Sequence, residues 1–302
     1  NPFAPSIPRR LCNKQEAGVA KGRWVRRSVV CSDPSTNWEQ GHCGFSDSAD
    51  NWIWAPVHCR YHKYSPLEAQ ECLEDHGRKV LVAGASPQRT LFFDTADLLF
   101  PGEIVTSKAH QDLEFPPVVF FHWVPYHVNL VEGCPLACKL DYGNVTWHIE
   151  NFVNNTSTGR NDVLVVQAGI HDIFFGSLET FFANIPKMAQ TLKTLRDEKG
   201  IDAMYRYGDM IHLPRGGDID LVEHGFRSQR MVEALEFARQ VMSEAGVPVL
   251  DTLQMTRARP EGTSDGYHFN EWANIEDTYR GNAISRSSAQ VLMHRACSTD
   301  QA

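Results

Sequence analysis

The chain of 302 residues is 42% hydrophobic and 22% charged, with a net charge of −8 at pH 7. That length suits one large domain or two modest ones of ordinary globular composition. The acidic balance argues against broad nucleic-acid binding, and no apolar run approaches the ~20 residues that span a bilayer.

Residues 1–78 have few periodic runs but hold Trp24, Trp38, Trp52 and Trp54 and five of the eight cysteines. So thin a core needs cross-links, which predicts a disulfide-tied cap over 1–78 packed on a main domain over 79–302. The cysteines are Cys12, Cys31, Cys43, Cys59, Cys72, Cys134, Cys138 and Cys297. Their even number and early clustering predict disulfides, with at least one bridge from cap to main domain and a long-range partner for Cys297. CxxC pairs are absent. Cys134 and Cys138 lack nearby paired ligands, so no metal site is expected. Three glycosylation sequons begin at Asn144, Asn154 and Asn155. Together with the cysteines they predict a glycoprotein of the secretory pathway, in the Golgi lumen or outside the cell. No signal-peptide pattern is visible, so the chain is expected to be a processed or trimmed lumenal piece, with room for a membrane anchor outside it.

From Lys79 the pattern changes. Lys79 to Ala83 is a short β-branched apolar run, the mark of a buried strand. Gly84, Ala85 and Ser86 make a turn, and Pro87 suits a first helical position. Leu91, Phe92, Ala96, Leu98 and Leu99 then give a helix its apolar face. Ser86 therefore sits at a strand end and a helix start together, where a hydroxyl is presented beside free backbone N–H groups. The alternative role for Ser86 is a plain helix cap. Further strands are predicted over 117–123, 162–167, 203–207 and 247–250. Helices are predicted over 178–195, 226–245 and 282–295. This alternation predicts an α/β fold with a mainly parallel sheet covered on both faces. The turns after the strands at Ser86, Gln167 and Leu250 would meet at its carboxyl edge, where such sheets bind ligands.

The loop after Leu250 contains Asp265-Gly-Tyr-His268. An imidazole oriented by a carboxylate is what a serine nucleophile needs, so His268 is the candidate base for Ser86 and Asp265 its orienting acid. The competing reading is a glycine turn with a surface histidine, one of thirteen in the chain.

Several segments in order carry a resemblance: GRWV (Gly22 to Val25), WAPVHC (Trp54 to Cys59), Cys72-Leu73, GASPQR (Gly84 to Arg89), QAGIHD (Gln167 to Asp172) and DGYH (Asp265 to His268). In these the chain resembles the PC-esterase branch of the SGNH (GDSL-like) hydrolase superfamily. That branch holds the trichome-birefringence-like polysaccharide O-acetyltransferases, the NXPE proteins and the lumenal domains of sialic-acid O-acetyltransferases. The resemblance spans roughly residues 12–297. It implies a three-layer α/β/α sandwich, catalytic Ser86, Asp265 and His268, and no cofactor. It also places Gln167 and Gly169 at the oxyanion site, His171 in the pocket, and Arg89 either on an acidic sugar or holding the loop. Two positions depart from the family. Ala85 stands where Gly-Asp-Ser has aspartate, and Gln167 where the oxyanion asparagine is usual. The implied activity is a serine O-acetylesterase or O-acetyltransferase on a glycan. The other reading is a catalytically impaired relative that binds glycans or serves a structural role.

Overall fold

The structure, a computed structural model, describes residues 10–19, 21–26, 52–102, 113–115, 118–123, 145–175, 178–210, 212, 228–259, 262–263, 268–271 and 280–298. Its centre is a six-stranded sheet of β3 (Val80–Gly84), β4 (Leu113–Phe115), β5 (Val119–Trp123), β6 (Val163–Gln167), β7 (Asp202–Tyr207) and β8 (Val249–Asp251), in the order β4-β5-β3-β6-β7-β8. All neighbours are parallel except the β4 edge, which pairs antiparallel with β5. Both faces of the inner strands are covered, which explains runs such as Val-Leu-Val-Ala without polar alternation. Leu81, Ala83, Leu164, Val166 and Tyr205 share one apolar cluster, while Val80, Val82, Val165, Met204 and Leu250 share another.

The first face is covered by α4 (Val145–Asn155), α5 (Ile170–Phe175), α6 (Leu178–Lys199) and α7 (Ser228–Glu244). The second is covered by α3 (Ser86–Leu99) and α9 (Ala283–Cys297). The result is a three-layer sandwich. From β3 the chain crosses to β5 on one side and later to β6 on the other, so the strand order reverses at β3, the position of a topological switch point.

The N-terminal part holds α1 (Lys14–Ala17), a ribbon of β1 (Gly22–Arg26) against β2 (Trp52–Pro56), and α2 (Pro66–Asp75). Cys12, Trp54, Cys59, Tyr61 and Leu73 join the core beneath α3 and α9. Cys12 is bonded to Cys59, and Cys72 to Cys297 across 225 residues of chain. Closing a loop that long restricts the unfolded chain by about 5 kcal/mol in the entropic account. Asp202 adds a polar tie: it meets Arg196 at 2.8 Å, Arg295 at 3.1 Å and Lys14 at 3.3 Å. Burial alone would raise its pKa, but those three positive charges outweigh it and hold the carboxyl below its ordinary value.

Three differences from the sequence expectations stand out. The 1–78 stretch is not wholly irregular, because Ser65-Pro66-Leu67-Glu68 starts α2 with a reciprocal capping box. Helix α4 covers the segment around the sequons, and a short α8 (Leu253–Arg257) follows β8. The nucleophile helix begins at Ser86 with Ala85 as its N-cap, one residue earlier than Pro87 suggested. Among the described residues, no helix is long and apolar enough to cross a membrane.

Candidate active site

The turn after β3 is shaped by contact with β6. Gly84 pairs with Gln167 and has φ +149°. A Cβ on Gly84 would fall 2.0 Å from the Gln167 carbonyl oxygen, so only glycine fits. Ala85 is extended and offers no side-chain cap, and Ser86 is the first residue of α3. Ser86 is thus not the helix cap, and its hydroxyl serves no capping bond. Pro87 has no N–H, and the Gln88 and Arg89 N–H groups donate to the Ala85 carbonyl at 2.9 and 3.1 Å, which leaves the Ser86 N–H as the donor of the first turn with no intrahelical acceptor.

Ser86 is 7% exposed, and its Oγ lies 2.7 Å from Nε2 of half-buried His268. The two are 182 residues apart in sequence. The neighbouring Phe269 is buried in the core under α3 and anchors the histidine's segment. Asp265 lies outside the described residues.

Gln167 closes the other side of the turn. It is 2% exposed, and neither its amide oxygen nor its amide nitrogen has a hydrogen-bond partner. Gly208 makes room for it, since a Cβ there would sit 2.0 Å from Nε2. Gly169 takes φ +84°, the left-handed region that favours glycine, just before α5. His171 lies in the first turn of α5, with its side chain outside the described set. Arg89 is 5% exposed, one turn beyond Ser86 on α3. Asn154 and Asn155 are exposed at the end of α4, and Asn154 Oδ1 accepts a hydrogen bond from Lys199 Nζ at 2.7 Å. Asn144, Cys31, Cys43, Cys134 and Cys138 lie outside the described residues.

Sequence reasoning missed the polar network under the turn. Arg206, 3% exposed in β7, donates to both Asp209 carboxylate oxygens at 2.8 Å. It also donates to the Pro87 carbonyl at 2.8 Å, Gln88 Oε1 at 3.0 Å and Thr252 Oγ1 at 3.1 Å. Gln88 Nε2 donates to the Val165 carbonyl at 3.2 Å. The first turn of α3 is therefore tied to β6, β7 and the residue following β8. The signal was an arginine inside a buried strand with an aspartate three residues on. An ion pair buried this deeply needs several further hydrogen bonds to offset its desolvation, and these residues supply them.

Chemically, the site offers a hydroxyl in contact with an imidazole, the Ser86 backbone N–H at the helix start, and a buried amide with unused donors. Among the described residues, no group of three or more His, Cys, Asp or Glu side chains could hold a metal.

No family model matches the chain. It is 24% identical over 263 residues to the N-acetylneuraminate (7)9-O-acetyltransferase of Danio rerio, an alignment covering 74% of this chain and 30% of that protein. The chain thus spans under a third of the length of that relative. Among solved structures it is similar to a Bacteroides fragilis chain assigned as an acylhydrolase, with 12% identity, 76% of this chain and 93% of that one covered, and a TM-score of 0.45. An acetylxylan esterase from Geobacillus stearothermophilus follows with 10% identity, 73% and 94% covered, and a TM-score of 0.38.

Proposed function

We propose that the chain is a serine-dependent acyl esterase or acyltransferase of the SGNH type that acts on O-acetyl groups of a glycan. The observation that supports this most is the 2.7 Å contact between Ser86 Oγ and His268 Nε2, made across 182 residues at the sheet's switch point. The similarity to a sialate O-acetyltransferase points the same way and makes N-acetylneuraminate a candidate acceptor.

In this reading Ser86 Oγ attacks the ester carbonyl carbon while its proton passes to His268 Nε2. The carbonyl π electrons move to oxygen, and the resulting oxyanion is met by the Ser86 backbone N–H and Gln167 Nε2. Asp265 holds Nδ1–H and stabilises the imidazolium. Collapse breaks the ester C–O bond, and His268 returns the proton to the leaving alcohol. Water or a sugar hydroxyl then attacks acyl-Ser86 by the same steps in reverse order, giving hydrolysis or transfer. Gln167 suits the oxyanion role because its donors are buried, unpaired and preorganised. An amide in that state is costly unless a ligand completes it.

The second reading is a glycan-binding relative without catalysis. It is favoured by Ala85, whose methyl supplies no cap to the nucleophile helix. Acetyl release from p-nitrophenyl acetate and from 9-O-acetyl N-acetylneuraminate by the disulfide-bonded protein separates the two. The proposal expects turnover that disappears in Ser86→Ala. Equal rates in the two proteins, or none in either, would favour the binding reading.

A further inference from the structure

Two side chains of α9, one turn apart, hold the N-terminal part against the helix. Gln290 accepts from the Tyr64 N–H at 2.9 Å and donates to the Tyr64 carbonyl at 3.0 Å. Four residues on, along the same helix face, His294 repeats the pattern. Its Nδ1 lies 3.1 Å from the His62 backbone N, and its Nε2 lies 2.8 Å from the Cys12 carbonyl oxygen. The two backbone stretches it joins are also bonded to each other: the Cys12 N–H donates to the Arg60 carbonyl at 2.9 Å, and the Arg60 N–H to the Arg10 carbonyl at 2.8 Å.

A backbone N–H only donates and a carbonyl only accepts, so these partners fix one tautomer of His294: Nδ1 bare and Nε2 protonated. In that state the imidazole copies the donor–acceptor pair of the Gln290 amide. The two differ in one respect, because an amide does not titrate near neutral pH and an imidazole does. A proton on Nδ1 would set two donors against each other and place a charge on a side chain that is 2% exposed. The surroundings do not compensate. On α9, Arg295 is positive and engaged by Asp202 of β7 and the Lys14 carbonyl. From α1, Lys14 is positive as well and paired with Asp202. From the 60–64 stretch come the Tyr61 ring, with centroids 5.6 Å apart, and His62, whose Nε2 lies 3.6 Å from Glu68 of α2. Ser298 Oγ, 3.5 Å from Nε2, donates to the His294 carbonyl. Among the described residues His294 has no carboxylate partner. Burial, helped by the His62 charge and opposed by the Cys12 carbonyl, holds its pKa below the ordinary histidine value.

We infer that His294 is an acid-sensitive clasp, whose protonation frees the backbone of residues 60–62 and Cys12 from α9 while the Gln290 clasp stays closed. The disulfides bracket the freed stretch: Cys59 is held by Cys12, and Cys72 by Cys297 at the end of α9. Opening is therefore local, and it reverses when the acid is removed. It takes up one proton. The closed state is fully favoured above the ordinary histidine value of about 6.5, and as pH falls from there towards the lower folded value it loses up to about tenfold per pH unit.

The test is hydrogen exchange of the disulfide-bonded protein at about pH 7.5 and about pH 5.0, corrected for intrinsic exchange rates and read at single amides. Protection of the His62 amide is expected to fall about tenfold in acid, with β6 and β7 unchanged. His294→Gln, which supplies the same donor and acceptor as Gln290 without a titrating group, should keep that amide protected at both pH values. His62→Gln should retain the acid step. The wild-type ring offers a second readout: its ¹⁵N shifts should show the Nε2–H tautomer at pH 7.5, with double protonation tracking the loss of protection. Where His294→Gln exposes the amide at both pH values, those ring shifts decide. Unchanged His62 protection in acid, the same acid loss in His294→Gln, its disappearance in His62→Gln, an equal loss in β6 and β7, or an Nδ1–H tautomer would overturn the inference.

Discussion

Two glutamines near the same sheet edge have similar burial and opposite circumstances. Gln88, 0% exposed, is bonded through both amide atoms, accepting from Arg206 and donating to the Val165 carbonyl. Gln167, 2% exposed, is bonded through neither. Beneath the Ser86 turn the polar groups satisfy one another and fix the backbone. At the turn itself a buried amide is held ready with nothing to bind. A fold selected for stability alone would not leave that amide unpaired, since each such group costs about 1–3 kcal/mol. In the proposed reading the lower region is scaffold and the upper one is a place completed by a ligand.

The strongest way to break this contrast is to disturb the scaffold. Arg206→Met strands Asp209 as an uncompensated buried charge and is expected to lower stability by ~3–5 kcal/mol, read by urea denaturation. The double variant Arg206→Met, Asp209→Leu should recover part of that loss, because an apolar pair no longer buries a lone charge. If the single variant unfolds at the wild-type urea midpoint, the network is not the scaffold described.

Gln167→Ala tests the other side. Stability should change by less than about 1 kcal/mol, because relief of an unpaired buried amide offsets the packing lost on truncation, while acetyl-ester turnover falls on the order of 10²–10³. Gln88→Ala should do the reverse, losing ~1–3 kcal/mol of stability through the partners it leaves behind. A Gln167 variant that destabilises as much as Gln88→Ala would erase the distinction.

Ala85→Asp restores the residue usual in the resembling family. Here Ala85 is 0% exposed within the apolar cluster that includes Ala83, Val166 and Ala168. A carboxylate buried there outweighs the gain of a helix cap, and a loss of about 1–2 kcal/mol with no gain in turnover is expected. Raised activity would instead mark Ala85 as decay.

The smallest effect concerns acid. Asp202 has a depressed folded pKa, so its contribution is fully present above the ordinary aspartate value of about 3.9 and is lost as pH falls through the folded value. Asp202→Asn should flatten the stability–pH curve below pH 4 and leave the Ser86 site unchanged. A curve with the same slope in both proteins would contradict the tie from Lys14 to Arg295.

Much of this was legible in the sequence. The β-branched runs matched the parallel strands to within two residues, and Gly84-Ala85-Ser86 with Asp265-Gly-Tyr-His268 singled out Ser86 and His268, which the fold brings to 2.7 Å. Periodicity did not reveal α2, whose signal was the capping pair Ser65 and Glu68, or β4, whose three residues are too short to show alternation. The Arg206 network stayed hidden because its members are spread over 165 residues from Pro87 to Thr252, and only the strand order brings them together. The unpaired state of Gln167 is a property of packing against Gly208 that no local pattern carries.

The central claim is that Ser86 is a nucleophile activated by His268. The most direct measurement is labelling of the folded, disulfide-bonded protein with a fluorophosphonate, followed by peptide mass spectrometry. The account predicts one adduct, on Ser86, that disappears in His268→Ala while Gln167→Ala only slows its formation. A protein that takes no label, or takes it equally well without His268, would contradict it.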